Sequence, residues 1–78
     1  EYEGVQMRVQ VHTDNVGTPE HNLRLSKKRA NTIKNYLVSL NVNATRIYAQ
    51  GFGESKPITS NETSNGRARN RRIGISIR

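Results

Sequence analysis

Cysteine and tryptophan are both absent from the 78 residues, and the only aromatic side chains are three tyrosines and one phenylalanine. The first absence excludes disulfides, thiolate nucleophiles and cysteine-bound metals, and says little about compartment. The second means that any core must be assembled from Val, Ile and Leu rather than from large rings. Long apolar runs are missing too: none approaches the ~20 residues that a helix needs to cross a bilayer. The sequence opens on Glu1-Tyr2-Glu3, without a basic start followed by an apolar stretch, so a targeting or anchoring segment, if the natural protein has one, lies outside it. Acids are scarce: 6 Asp and Glu against 13 Lys and Arg give a net charge of +7. That balance favours polyanionic partners such as nucleic acid, anionic lipid or an acidic cell-wall matrix. The length suits one small domain, whose folding would bury only about 60% of the surface of the unfolded chain.

What is present is a readable alternation of patterns. From Val5 to Val11, Val5, Met7, Val9 and Val11 alternate with Gln6, Arg8 and Gln10, which predicts a half-buried strand. Asn15-Val16-Gly17 supplies turn chemistry. Thr18-Pro19-Glu20 then reads as a helix start, with a hydroxyl cap, proline at the first position and an acid in the first turn. The helix is expected to run to about Leu40, with Asn41 as its stop.

At about 100° per residue, Leu23, Leu25, Ala30, Ile33, Tyr36, Leu37 and Leu40 gather on one side of that helix, and Arg24, Lys27, Lys28, Asn31, Lys34 and Asn35 on the other. Inside the apolar arc lie Asn22, Ser26 and Arg29, spaced by four and three, a polar stripe over the first two turns. The C-terminal half is thus expected to pack on a core while the N-terminal half lines something polar. Asp14, just beyond the strand, and Arg29 would then face one another across a small opening, which suits a ligand bearing both an ammonium and a carboxylate. The same pattern also fits an internal Asp14–Arg29 salt bridge, with Asn22 and Ser26 satisfying loop backbone.

After a link from Val42 to Thr45, a second strand is expected over Arg46 to Gln50. Strand, helix, strand is the pattern of a right-handed crossover between parallel strands. Gly51 to Pro57 reads as a glycine-bounded loop. Thr59 to Asn70 is polar throughout, with room for a short helix from Thr63 to Arg69. A last strand, Arg72 to Arg78, places Ile73, Ile75 and Ile77 on one face. Three strands and one strong helix leave part of a sheet face bare, as in a fragment of a larger α/β sandwich.

Three segments, HTDNVGTPEHNLRLSKKRA, RIYAQGFGESKPI and N-x-T-x-x-GRARNRRI, occur in that order. Together they resemble the OmpA-like (OmpA/MotB C-terminal) peptidoglycan-binding domain, over about Met7 to Ile77. The sequence departs from the pattern at Val11, where glycine usually precedes HTD, and at Gly74, where an acid is common. The resemblance implies an α/β (α+β) two-layer sandwich of β-α-β-α-β-β order, with a mixed sheet and helices on one face. Residues 1–78 would be a single domain lacking that order's first strand and helix. It also implies a ligand, the diaminopimelate of a peptidoglycan stem peptide, whose side-chain end carries an amino and a carboxyl group on one carbon. Asp14 would accept the ammonium and Arg29 would grip the carboxylate. Thr13, Asn22, Leu25 and Ser26 match surrounding family positions, and Arg71 matches one that approaches the ligand, while Arg72 is assigned to structure. The implied role is non-catalytic anchoring of an envelope protein or complex in the bacterial periplasm, associated with the cell wall and the outer membrane. The parent would be a porin, lipoprotein, flagellar stator or secretion-system component. No cofactor is implied.

Two other classes compete. The cluster of Arg67, Arg69, Arg71 and Arg72 would suit nucleic acid, but single-strand recognition needs exposed aromatics for stacking, and Tyr36 lies on the predicted apolar arc. An enzyme would need more than His12, Asp14 and His21, which match no nucleophile elbow, paired-carboxylate or metal-ligand spacing. The sequons Asn43-Ala44-Thr45 and Asn61-Glu62-Thr63 are too short a pattern to weigh.

Overall fold

The computed structural model describes residues 5–77. Three strands, β1 (Met7–His12), β2 (Ile47–Gly53) and β3 (Arg72–Ile77), form a sheet in the order β2-β1-β3. Helix α1 (Pro19–Ser39) connects β1 to β2, and α2 (Ser64–Asn70) precedes β3. β1 and β2 run parallel from Met7 opposite Ile47, whereas β3 is antiparallel to β1 from Ile77 opposite Met7 to Arg72 opposite His12. The mixed sheet and the crossover are those expected from the sequence, and the fold is the α/β two-layer class. A turn of 3₁₀ helix, Ala44–Arg46, lies within the predicted link. The expected end of the last strand, Arg78, lies outside the described residues.

Both ends of α1 obey their local signals. Thr18 Oγ1 accepts a hydrogen bond from His21 N at 3.1 Å, with Pro19 at the first helical position, so one orphan amide is satisfied and no amide is missed at Pro19. At the other end Asn41 takes a left-handed φ of 74°. Its amide reaches Val38 O at 2.9 Å, and that of Val42 reaches Leu37 O at 3.2 Å, closing the last carbonyls.

The core is small: Val9, Val11, Ala30 and Ile47 are at most 2% exposed, with Ile33, Leu37, Val42 and Ala49 packed around them. The face of α1 that packs is narrower than the predicted arc. Its buried line is Asn22, Ser26 and Ala30, continued by half-buried Ile33 and Leu37. Leu23, Tyr36 and Leu40, expected on the apolar side, are 39%, 64% and 56% exposed. One helix about 10 Å wide covers roughly two strands at ~4.8 Å spacing, and α1 lies over β2 and β1. β3 is left uncovered, so Ile73, Ile75 and Ile77 are 55–64% exposed on their shared face.

The second strand is longer than its expected Arg46–Gln50 and takes in Gly51, Phe52 and Gly53. Gly51 is in the strand because α1 presses on it: a Cβ there would lie 2.3 Å from Lys27 N and 2.6 Å from Ser26 C. Here glycine marks a close approach of backbones, not a turn. The register then slips. Val11 pairs with Gly51 and His12 with Gly53, so Phe52 is the extra residue of a bulge. Its ring turns onto His12, stacking at a 5.1 Å centroid distance, and Lys56 Nζ sits 4.7 Å from the Phe52 centroid.

Candidate functional site

The candidate site lies beyond the C-terminal end of β1, where β2 and α1 hold the segment His12 to Asp14 from one side and β3 delivers its first residues from the other. Thr13 N donates to Gly53 O at 2.9 Å, and Thr13 Oγ1 donates to Asp14 O at 2.7 Å. Asp14 O also accepts from Asn22 Nδ2 at 3.3 Å, the same amide group reaching Glu54 Oε1 at 3.0 Å. Ser26 is fully buried; its hydroxyl donates to Leu23 O and accepts from Gly53 N, both at 2.9 Å. Thr13, Asn22 and Ser26 are therefore spent on aiming the Asp14 loop and tying α1 to the end of β2. Leu25 is half-buried beside them.

The Asp14 carboxylate is 10% exposed as a side chain, and both oxygens are engaged. Oδ1 accepts from Val16 N at 3.0 Å, closing a local turn, and Oδ2 accepts from Arg71 Nη1 at 2.6 Å. The Val16 amide, followed by the Arg71 guanidinium and the more distant Arg67, holds its pKa below the usual 3.8 against the opposing effect of burial. Asp14 is thus a fixed anion at neutral pH.

Arg71 is placed by its predecessor. Asn70 is fully buried: Oδ1 accepts from Ile58 N and Thr59 N at 2.8 and 3.2 Å, while Nδ2 donates to Thr59 O and Asn61 Oδ1 at 3.0 and 2.8 Å. This clamp locks the polar loop to the end of α2, where the chain leaves the helix at Arg71. Arg72 braces the same corner, donating to Asn70 O and Lys56 O, which agrees with the structural role expected for it. Asn70, Glu54 and the His12–Phe52–Lys56 stack were not among the predicted site residues. The asparagine of N-R-R was the available sign, but its side chain reads as any polar helix end until the loop folds back on it.

Arg29 differs from its expected setting. It is exposed rather than core-facing, because its long stem carries the charge past the packed line of Ser26 and Ala30. Among the described residues the ion-pair partner of Asp14 is Arg71, not Arg29. Arg29 instead lines a cavity of about 220 Å³ with Val11, His12, Arg71, Arg72 and Ile73. The cavity thus brings three arginine side chains together beside Val11 and Ile73, and Arg71 links it to the buried Asp14 carboxylate. A larger hollow of about 480 Å³ at the other end of the sheet is lined by Val5, Met7, Asn41, Val42, Asn43, Arg46 and Ile77. Among the described residues no acid and none of the predicted site residues borders it.

The OmpA family model matches residues 2–71. The chain belongs to the OmpA family. It is 50% identical over 66 residues to outer membrane protein A of Bordetella avium, a match covering 85% of this chain and 34% of that protein. Among solved structures, the peptidoglycan-associated lipoprotein from Burkholderia pseudomallei superimposes with a TM-score of 0.90 at 30% identity, over 99% of this chain and 65% of the other. The cell wall anchor of the T6SS from Pseudomonas aeruginosa gives a TM-score of 0.77 at 35% identity, over 90% and 52%. This OmpA-family chain spans between about a fifth and a third of the first curated relatives it matches, 22–34% of their length.

Proposed function

We propose that this OmpA-family chain is a non-catalytic module that binds peptidoglycan through the diaminopimelate of a stem peptide, and so anchors an envelope protein or complex to the cell wall in the periplasm. The observation that carries the reading is a buried Asp14, ionised at neutral pH, beside a cavity lined by Arg29, Arg71 and Arg72. An acid and a guanidinium cluster set side by side match a carbon that bears both an ammonium and a carboxylate. Asp14 accepts the ammonium, Arg29 grips the carboxylate, Thr13 and Leu25 flank them, and Asn22 and Ser26 hold the frame. Arg71, which lines the same cavity, joins Arg29 on the carboxylate. Similarity to a peptidoglycan-associated lipoprotein and to a cell wall anchor supports the wall as the larger target. One site of this size gives modest affinity, which repetition along a continuous wall raises through effective concentration.

Co-sedimentation with purified sacculi tests the proposal. The chain should pellet, free diaminopimelate should release it, and Asp14→Ala and Arg29→Ala should each lose most of the bound fraction. If both variants pellet as the unchanged chain does, the site is wrong. The exposed Tyr36 and Tyr48 make an oligonucleotide the proper control competitor: release by single-stranded DNA rather than by diaminopimelate would favour a nucleic-acid module.

A further inference from the structure

The carboxylate proposed to receive the ligand's ammonium is already occupied by a cation. Asp14 Oδ1 is held by the Val16 amide, and Oδ2 by Arg71 Nη1 at 2.6 Å. An incoming ammonium therefore meets a guanidinium in its place. Arg71 is 53% exposed as a side chain, so it is held by its tip more than by packing. It also lines the adjoining cavity with Arg29 and Arg72, so a turn about its own stem would carry it from Asp14 into that space. Among the described residues no carboxylate lines the cavity. Moving the Arg71 guanidinium into a cavity lined by two other arginines without bringing an anion sets like charges closer together.

We propose that Arg71 is the specificity-determining residue of the site, a built-in competitor that yields Asp14 only to an ammonium accompanied by a carboxylate. This rests on the reading of Asp14 and Arg29 given above. A ligand with a lone ammonium, such as a lysine side chain within a stem peptide, offers one cation in exchange for another. It loses the guanidinium–carboxylate bond and strands Arg71 among Arg29 and Arg72. A ligand with both groups on one carbon replaces the bond at Asp14 and supplies the anion that Arg71 and Arg29 then share. Discrimination arises from a penalty on the wrong ligand rather than from extra contacts to the right one.

The test uses the whole chain and two small probes, meso-diaminopimelate and Nα-acetyl-lysinamide, which carries only an ammonium. Their affinities are compared for the unchanged protein, Arg71→Met and Arg71→Lys by titration calorimetry. In Arg71→Met the preference for diaminopimelate should fall about tenfold, because the lone ammonium gains an unoccupied Asp14 while the zwitterion loses one of its two cationic holders. Arg71→Lys keeps a cation opposite Asp14 and should retain most of the preference. If diaminopimelate binds but the ratio is the same in Arg71→Met, Arg71 is not the discriminator and the site reading stands. If diaminopimelate binds none of the three proteins, the site reading fails and the inference with it. Parallel loss of both probes in Arg71→Met and Arg71→Lys alike would assign Arg71 a purely structural role and also overturn the inference.

Discussion

Arg71 reaches back across 57 positions to hold the carboxylate of Asp14 at 2.6 Å. The pair joins the two sides of the site: the loop after β1, aimed by α1 and β2, and the start of β3, aimed by the Asn70 clamp. The acid is buried while its partner is half in water, so the pair is firm at one end and loose at the other. A site that exchanges partners needs that asymmetry.

The asymmetry separates binding from stability at Asp14 and Arg29. Asp14→Ala removes an ion pair and a turn-closing acceptor, and should destabilise the fold by about 1–2 kcal/mol, the ion-pair part kept small because Arg71 is screened by solvent. Arg29→Ala, an exposed truncation, should stay within about 0.5 kcal/mol. Urea unfolding followed by circular dichroism measures both, and sacculus binding should fall in both despite the difference.

Ser26→Ala should cost about 1–3 kcal/mol although it deletes a single oxygen. Gly53 N would lose its 2.9 Å acceptor inside a fully buried site, and nothing else there replaces it without water. Amide exchange should show Gly53 losing protection before the centre of β2. A Ser26→Ala variant as stable as the unchanged chain would remove this bond from the account.

Gly51→Ala should be more damaging than its single added carbon suggests. The new Cβ would meet Lys27 N and Ser26 C at 2.3 and 2.6 Å, both backbone atoms that cannot rotate away. α1 must lift from β2, which costs about 3 kcal/mol or more at the overpacked limit. The expected result is a large drop in urea midpoint, or failure to fold; a midpoint near that of the unchanged chain would mean that the helix lies further from the strand.

Acidification should weaken the fold in two stages. Burial, then the charges of Arg72 and Lys56, hold the His12 pKa below the usual 6.5, and its Nδ1 is buried without a hydrogen-bond partner. The unfolded chain therefore takes up this proton first, so stability falls as pH drops below about 6.5 and levels off beneath the folded pKa. Asp14 acts lower down: its depressed pKa contributes stability that is present above the ordinary 3.8 and lost as pH falls through the folded value. Urea midpoints from pH 7.5 to 5 should show the first stage, and His12→Phe, which keeps a ring against Phe52, should flatten it.

Much of the architecture was legible before any coordinates. The alternation of Val5 to Val11 and of Ile73 to Ile77, the Thr18-Pro19 start and the Asn41 stop are local signals, and the elements appear there to within two residues, β1 spanning Met7–His12 rather than starting at Val5. Asp14 stood out for the same reason, as an acid just past an apolar strand. The exposed flank of Leu23 and Tyr36 was misjudged because helical periodicity gives the direction of a face but not the width of what lies against it.

Sequence by itself determined where the strands and helices are centred, and that an acid and a basic helix would meet at the end of β1, because those outcomes follow from spacing and from residues a few positions apart. Only the tertiary structure decided that Gly51 belongs to a strand, that Ser26 is tied to the end of β2, and that the partner of Asp14 is Arg71 rather than Arg29. Each of these depends on backbones or side chains brought together from distant parts of the chain. Among several arginines of equal charge, the one that reaches the carboxylate is chosen by the path of the chain that carries it.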